Sequence, residues 1–261
     1  MLPARPFPRV STQILTVALT WLTLAAAAGA SGAGTVPAAL SASQILDRVE
    51  ENLQGESRHS VQTMTIISGD SQVIRSLELF SRDDDALIRF TEPADVAGTA
   101  LLVRGDDMWL YMPVVGRARR IAGSQRSGSF MGSHFSYDDM SAIGYQDDHQ
   151  AELVAVETLD GVQAYRLSLT PTGESAYSSL VMWVDMERFV MLRIDFYTNG
   201  GLAKTLLSSD VRDVDGRLVP FRLEMVPASG RGKTVIQIQE VHFDVPLDDS
   251  LFTVRTLERG R

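Results

Sequence analysis

Residues 109–139 read WLYMPVVGRARRIAGSQRSGSFMGSHFSYDD, and this stretch carries most of the information about the fold. Its second half places three large apolar side chains, Phe130, Met131 and Phe135, among glycines and serines. Glycine and serine support a helix poorly and favour turns, so these side chains lie on a loop that can stay exposed and adaptable. Large apolar side chains on such a loop indicate contact with an apolar ligand or with a partner protein.

Outside this stretch, most of the chain alternates apolar and polar side chains with the period of two that is typical of β-strands. Residues 164–169 and residues 191–197 are two clear examples. Turn signals separate such runs, among them Asp160-Gly161, Asn199-Gly200 and Asp215-Gly216. Asn-Gly is a strong hairpin signal because both central positions of the favoured turn need a positive φ. The pattern therefore predicts a mainly β (α+β) fold with about ten antiparallel strands in a single large curved sheet, apolar on its concave face and charged on its convex face.

One short amphipathic helix precedes the strands. The spacing of Leu46, Val49 and Leu53 places these side chains on one narrow apolar stripe. Ser43 is a candidate N-cap, and Gly55 follows the predicted end of the helix. Because a lone helix cannot bury its stripe, we expect this helix to lie on the sheet.

Two irregular stretches, residues 91–98 and 113–143, are further candidates to cover the sheet. A sheet of this size must close on itself, pair with a second sheet or be covered. Within the second stretch, a helix from Tyr137 to Ile143 with Ser136 as its cap is expected. A concave apolar sheet under a partial cover of helices and loops forms a container, unless side chains fill it.

The N-terminus resembles a secretory signal peptide. Arg5 and Arg9 precede an apolar stretch over residues 14–28, and small residues follow it. That stretch is shorter than the roughly 20 residues that span a bilayer, although a retained N-terminal helix is the alternative. We expect a signal peptide at residues 1–30, a flexible leader at 31–42 and a single domain at 43–258.

Charge and cysteine content exclude several classes of function. The chain has a net charge of −9, and without the two arginines of the expected signal peptide this becomes −11. So acidic a surface repels nucleic acid and anionic membranes. The absence of cysteine excludes disulfides, thiolate metal sites, thiol nucleophiles and lipid attachment at an N-terminal cysteine. The expected product is a soluble, exported protein in the periplasm of a Gram-negative bacterium.

Signals for catalysis or for a metal are weak, and we predict neither an enzyme nor a cofactor. His134 with Asp138 and Asp139 is the one cluster that could act as a metal or acid–base site, but a third good ligand is missing from the region. Ser133 lies in a glycine- and serine-rich stretch without the strand-to-helix elbow that a nucleophilic serine needs. A hydrolase that uses Ser133 or His134 remains an alternative.

Four arginines form the basic patch of this acidic chain: Arg117, Arg119, Arg120 and Arg126. A solvated strand face explains such a patch. A second interpretation gives Arg119 and Arg120 a role in pinning a lid or in docking an acidic partner, because a guanidinium can hold several oxygens in fixed geometry.

Several motifs together resemble the outer-membrane lipoprotein-sorting, or LolA-like, family. They are DDMWLYMP at 106–113, RRIAGS at 119–124, SFMGSHFSYDD at 129–139, FTEPADVAGTA at 90–100, WVD at 183–185 and LFTV at 251–254. The resemblance covers nearly all of residues 43–258. It implies a half-open antiparallel β-barrel with helices over its mouth, which carries lipoprotein acyl chains from an inner-membrane release complex to an outer-membrane receptor. Some relatives occur beside exporters of the resistance–nodulation–division type, which implies other lipids as cargo.

These observations predict a periplasmic carrier without catalysis, acting as a monomer. Burial contributes about 0.8 kcal/mol per methylene, so enclosing a sixteen-carbon chain gains on the order of 10 kcal/mol. A carrier that also releases its ligand must lower this affinity, and a lid that packs its own side chains into the cavity does so by competing with the ligand. The alternative is an adaptor of an exporter of that type or of another envelope complex, with no transported ligand.

We assign three roles to candidate residues, each of which could equally be ordinary core or surface. The lid residues are Leu46, Val49, Leu53, Phe130, Met131 and Phe135. The cavity-wall residues are Trp109, Tyr111, Leu192, Ile194 and Phe196. The lid-pinning or docking residues are Arg119 and Arg120.

Overall fold

The computed structural model describes residues 40–141 and 145–259. Thirteen strands in this part of the chain form one antiparallel sheet. They are β1 Arg58–Ser68, β2 Ser71–Arg82, β3 Asp85–Glu92, β4 Ala100–Arg104, β5 Asp107–Met112, β6 Arg117–Arg120, β7 His149–Leu159, β8 Val162–Pro171, β9 Ser179–Asp185, β10 Met191–Thr198, β11 Gly201–Val214, β12 Arg217–Pro227 and β13 Lys233–Phe243. The prediction of one large antiparallel sheet is confirmed, with three strands more than the expected ten.

The sheet consists of two meanders that meet in its middle. The first strand, β1, pairs with β2 on one side and with the last strand, β13, on the other. From this centre, β2 to β6 continue to one edge and β12 back to β7 continue to the other. Since β6 and β7 do not pair, the sheet stays open along one side, as a half-open barrel requires.

The hairpins use the turn residues that the sequence indicated. Asp160 and Gly161 both have positive φ, 49° and 87°, between β7 and β8. Asp215 and Gly216, at 53° and 83°, do the same between β11 and β12. Two residues with positive φ give the turn whose twist matches that of the flanking strands.

The helical elements are short except for the first. They are α1 Ala42–Leu53, α2 Gly123–Arg126, α3 Tyr137–Ser141, a 3₁₀ turn Asp249–Phe252 and α4 Val254–Arg259. Among the described residues, no helix is both long and apolar enough to cross a bilayer. The expected signal peptide, residues 1–30, and nearly all of the expected leader lie outside the described residues.

The N-cap of α1 is Ser41 rather than the expected Ser43. Ser41 has extended backbone angles, and its Oγ accepts a hydrogen bond from the Gln44 backbone N–H at 3.2 Å. Gln44 Oε1 accepts one in return from the Ser41 N–H at 2.9 Å. This capping box satisfies two free donors at the helix start, whereas Ser43 already lies within the first turn.

The β9–β10 turn anchors the far end of α1. Asp185 accepts hydrogen bonds from the backbone N–H groups of Glu187 and Arg188 at 2.9 and 3.0 Å and from Arg188 Nε at 2.7 Å. Burial opposes ionisation of Asp185, but these hydrogen bonds outweigh it and hold the pKa of the carboxyl below its ordinary value. The ordered turn then presents the carbonyls of Arg188 and Phe189 to Asn52 of α1, each at 3.1 Å.

Candidate functional site

The concave face of the sheet carries one continuous apolar cluster that reaches from β1 to β5 and from β8 to β13. Two segments cover it: α1 and the residues that follow β6, 121–141, which we call the cover loop. The side chains of α1 in this cluster are Ala42, Ile45, Leu46 and Val49. The interior of the barrel is therefore packed with side chains of its own cover.

The cover loop folds as a compact hairpin-like turn. Phe130 N–H donates to Phe135 O at 2.8 Å, and Ser133 N–H donates to Phe130 O at 2.9 Å. Met131 and Gly132 take positive φ values of 50° and 76°, which reverse the chain between the two phenylalanines. Both rings consequently point into the interior cluster, where they are almost fully buried.

The structure brings most of the predicted lid and wall residues together. Those buried in the concave cluster are Leu46, Val49, Phe130, Phe135, Ile194 and Phe196. Leu53 and Met131 are partly buried and pack against the margin of the same cluster. This arrangement is the one expected if the cover occupies the space that an apolar ligand would take.

Trp109 and Tyr111 do not line this interior, and the assignment of both as cavity wall was wrong. Strand β5 places Leu110 in the concave cluster, so its neighbours on the strand point to the opposite face. There both rings belong to a separate cluster with Phe252 and Leu257 of the C-terminal elements. Alternation identified which residues share a face, but α4 makes the convex face apolar here as well.

Leu192 was also assigned to the wall, and it lies outside the interior cluster. The pairing of β10 with β9 aligns Met191 with Val184 and Arg193 with Trp183, which leaves Leu192 as the extra residue of a β-bulge. A bulge shifts the alternation by one residue, so Met191 joins Ile194 and Phe196 in the interior instead.

Arg119 and Arg120 lie exposed on the edge strand β6. Arg120 pairs with Asp107 of β5, so its contact is within the hairpin. The pinning of the cover loop by these two residues was therefore wrong, whereas docking stays a prediction. Arg126, within the loop, donates to the carbonyl of Asp106.

Three polar side chains of the concave face hold the cover loop instead, and we call them the latch: Arg75 of β2, Lys204 of β11 and Thr234 of β13. Arg75 Nη1 donates to the carbonyl of Met131 at 2.5 Å. Thr234 Oγ1 accepts a hydrogen bond from His134 N–H at 3.0 Å and lies 2.8 Å from His134 Nδ1. The latch thus grips the tip of the turn that carries Phe130 and Phe135.

Lys204 forms the most buried ion pair of the latch. Its Nζ pairs with Asp139 of the cover loop and lies 3.4 Å from the carbonyl of His134. The ammonium also lies 5.3 and 5.5 Å from the rings of Tyr177 and Phe196, which shield it from water. Tyr177 donates its hydroxyl to Asp139 at 2.9 Å, and burial, reinforced by the Asp139 charge, raises the pKa of Tyr177 so that the hydroxyl remains a donor.

The sequence contains a signal for the latch. Arg75 shares the alternating face of Leu77, and Lys204 shares that of Leu206, so each places a charge on an otherwise apolar face. A charge on the apolar face of a strand needs a buried partner. Here the partners are the oxygens of the cover loop.

The residues considered for catalysis have structural partners. Ser133 Oγ accepts from the Phe135 N–H at 3.2 Å, while the His134 ring is engaged by Thr234. In residues 40–141 and 145–259, no group of three or more histidine, aspartate or glutamate side chains is placed to hold a metal ion. Ser133 and His134 thus serve the turn and its attachment.

A groove of about 700 Å³ lies outside the barrel, at the C-terminal end of α1. Its lining is largely polar and includes Glu51, Arg217 and Asp244. Arg217 pairs with Asp244 at 3.3 Å and donates to the Gln54 carbonyl at 3.2 Å, so these groups fasten the helix end to β12. The groove does not offer an apolar site for an acyl chain.

Comparison with known proteins identifies the family of this chain. A family model described as "Uncharacterized protein" matches residues 82–259. A crystal structure of a DUF1329 family protein from Desulfovibrio piger is 30% identical, superposes with a TM-score of 0.78, and the match covers 83% of this chain and 97% of that chain. The chain belongs to the DUF1329 family.

The resemblance to LolA-like proteins is confirmed alongside this membership. A putative outer membrane lipoprotein-sorting protein domain from Vibrio parahaemolyticus is similar to this DUF1329 protein, with 26% identity, a TM-score of 0.77 and coverage of 84% and 98% of the two chains. A LolA superfamily protein from Nitrosomonas europaea shares the fold, with 24% identity, a TM-score of 0.73 and coverage of 82% and 98%. No curated protein sequence matches the chain.

Proposed function

We propose that this DUF1329 protein is a non-catalytic carrier that binds acyl chains of lipoproteins or other lipids on its concave face. The observation that supports this most directly is the occupation of that face by the side chains of a cover. The first residue of the cover loop, Ile121, donates its N–H to the Met108 carbonyl of β5 at 2.8 Å. From residue 122 onward the cover loop has no strand pairing with the sheet, and its fastening consists mainly of side-chain contacts. The structure then corresponds to the closed form, in which the cover occupies the concave face.

The energetics favour a reversible exchange between cover and ligand. An enclosed sixteen-carbon chain gains on the order of 10 kcal/mol. Returning Leu46, Val49, Phe130 and Phe135 to the same face gains about 1.5–3 kcal/mol for each side chain, or roughly 6–12 kcal/mol together. Because the two gains are similar, the net affinity is small enough for a lipid to be released again.

The hydrogen bonding of the cover loop is suited to such a movement. The backbone hydrogen bonds of residues 122–141 run within the loop, for example from Tyr137 N–H to Gly128 O at 3.1 Å and from Gln125 N–H to Ala122 O at 2.8 Å. The loop can therefore leave as a folded unit without breaking a strand ladder, and the fastenings to be released are mainly side-chain contacts.

Location and partners belong to the same proposal. A cleaved signal peptide delivers the protein to the periplasm, where it works as a monomer. It receives its cargo from an inner-membrane release complex or an exporter of the resistance–nodulation–division type and moves it toward an outer-membrane receptor. The Vibrio relative, described as a lipoprotein-sorting domain, supports this placement.

A reversible disulfide lock tests the carrier directly, since the chain has no cysteine of its own. His134 Nδ1 lies 2.8 Å from Thr234 Oγ1, so the two side chains meet, and the double variant His134→Cys, Thr234→Cys is designed to join the tip of the cover loop to the sheet when oxidised. We expect the reduced variant to bind a fluorescent acyl probe and the oxidised variant to lose that binding at least tenfold. Equal binding in both redox states would contradict exchange between cover and ligand.

The adaptor is the second candidate, and the packed interior of the barrel favours it. An adaptor needs no cavity and would present only its surface to an exporter or an envelope complex. Native mass spectrometry of protein purified without detergent separates the two: co-purified lipid supports the carrier, whereas an empty protein in a stable complex supports the adaptor.

A further inference from the structure

The position of Lys204 is unusual for this chain. The sequence contains two lysines, and the side chain of Lys204 is only 11% exposed, on the concave face and between two aromatic rings. A cation in such surroundings requires a partner that stays with it. Its carboxylate partner, Asp139, is not on the sheet but on the cover loop, which the proposed exchange removes.

Arg75 has the same dependence on the cover. One of its N–H groups donates to Met131 O, and its Nε is buried without an acceptor among the described residues. The guanidinium also lies 5.9 Å from the centroid of Phe90, in an apolar setting. When the cover loop leaves, a second cation on the concave face therefore loses its acceptor.

The atoms that the two cations contact on the cover share one chemistry. Arg75 meets the carbonyl of Met131, and Lys204 meets the carbonyl of His134 and the carboxylate of Asp139. All three are oxygens, and one of them carries a full negative charge. Thr234 adds a hydroxyl that contacts the backbone N–H of His134. The closed cover thus presents the latch with a carboxylate and two further oxygens.

An apolar chain alone cannot replace these oxygens. It would fill the space of Phe130 and Phe135 but would leave the largely buried Lys204 and the partly buried Arg75 without these acceptors, which is unfavourable in a medium of low dielectric constant. A headgroup with a negative charge and several oxygens gives Lys204, whose partner on the cover is a carboxylate, a new partner of the same chemistry.

We infer that the cargo is an amphiphile with an anionic headgroup, a carboxylate or a phosphate, which replaces Asp139 beside Lys204 while its acyl chain replaces the phenylalanines. This inference rests on the proposed carrier function and names the class of its ligand. Asp139 acts in it as an internal stand-in for the headgroup.

The test compares ligands that share one chain and differ in the headgroup. Tetradecanoate, tetradecyl phosphate and tetradecan-1-ol each displace the neutral fluorescent probe N-phenyl-1-naphthylamine from the delipidated full chain, and inorganic phosphate serves as a headgroup without a tail. We expect both anionic ligands to bind at least tenfold tighter than the alcohol, and inorganic phosphate to displace no probe.

Variants of Lys204 then ask whether this cation sets the preference. Lys204→Gln also loosens the cover, but loosening favours all three ligands equally and cancels in the ratio of acid to alcohol affinity. We expect that ratio to fall to about one in Lys204→Gln and to be retained in Lys204→Arg, which guards against a folding defect. Asp139→Asn should strengthen binding of every ligand and keep the ratio. Lys233→Gln, at the exposed lysine, is the matched control and should change nothing.

Each outcome bears on one proposal. If no amphiphile displaces the probe, the carrier itself is refuted. If the alcohol binds as tightly as the acid, or if Lys204→Gln keeps the preference, the carrier stands and the anionic headgroup site is refuted. Displacement of the probe by inorganic phosphate alone would also overturn the inference, since the site would then bind a free anion.

Discussion

Replacing Phe130 with alanine separates a lid side chain from an ordinary core side chain. Phe130 is 0% exposed, and its ring centroid lies 5.7 Å from that of Phe90 and 5.4 Å from that of Tyr137. Truncating a fully buried phenylalanine removes about 3–5 kcal/mol. If the cover exchanges with ligand, this loss falls on the closed form alone, because the open form does not make these contacts.

The expected result is a gain in affinity together with a loss of stability. Each 1.4 kcal/mol corresponds to a factor of about ten, so 3–5 kcal/mol sets a ceiling of roughly 10²- to 4 × 10³-fold. The gain ends once the open form predominates, and we therefore expect at least about a tenfold tighter Kd for tetradecanoate in Phe130→Ala. Probe displacement measures the affinity, and thermal denaturation of the same samples measures the stability.

Phe252→Ala provides the matched control. Phe252 is 1% exposed, but it packs on the convex face with Leu102 and Leu257, away from the proposed site. Its truncation should lower the Tm by a comparable amount and leave the Kd unchanged. The reasoning is refuted if Phe130→Ala loses stability without gaining affinity, or if both variants gain affinity alike.

Three further predictions concern the latch, the anchoring turn and the sheet. Lys204 should react with an amine-selective reagent about 10–1,000 times more slowly than Lys233, because Lys204 reacts only from a minor open form whereas the side chain of Lys233 is 38% exposed. Peptide mapping by mass spectrometry measures both rates. Asp185→Asn should lower the free energy of unfolding by about 1.5–3 kcal/mol at pH 7. The folded pKa of Asp185 is lowered, so its contribution to the free energy of unfolding is present above the unfolded pKa of about 3.9 and is lost as the pH falls through the folded pKa. Urea denaturation should therefore show that the difference in this free energy between variant and wild type closes below about pH 4. Gly232→Ala should lower the Tm more than Gly230→Ala, because both positions have positive φ but only the Cβ at 232 would collide with a backbone carbonyl of β1, that of Ile67. Equal shifts in Tm would show that backbone strain alone decides.

Local patterns predicted the fold well because sheets and turns obey short-range rules. Asp160-Gly161 joins β7 to β8 with positive φ at both residues, as predicted. Asn199-Gly200 joins β10 to β11 as predicted, but the positive φ of this turn is at Gly201, so the expected conformation of the pair was wrong. The stripe of Leu46 and Val49 faces the sheet because a short amphipathic helix has no other surface on which to bury it. Phe130 was assigned to a lid because a large ring in a glycine-rich loop needs an apolar contact.

Errors arose where the face of a strand depends on distant parts of the chain. Alternation groups residues on one side of a strand, but it does not say which side is concave. Trp109 was misplaced because α4, more than 140 residues downstream, covers the opposite face. Leu192 was misplaced because a single bulge shifts the alternation, and the bulge depends on pairing with β9.

The sequence by itself determined the class of the fold, the positions of the hairpins and the presence of a loop with large apolar side chains, because period, turn chemistry and composition act over a few residues. Only the tertiary structure decided that the barrel is filled by that cover, and that Arg75, Lys204 and Thr234 hold it. These three side chains come from strands far apart in the chain, and antiparallel pairing through β1, β13 and β12 brings these strands into one sheet, where all three side chains reach the cover loop. The strand pattern shows that Arg75 and Lys204 are charges on an apolar face, but only the packed structure shows which oxygens they contact.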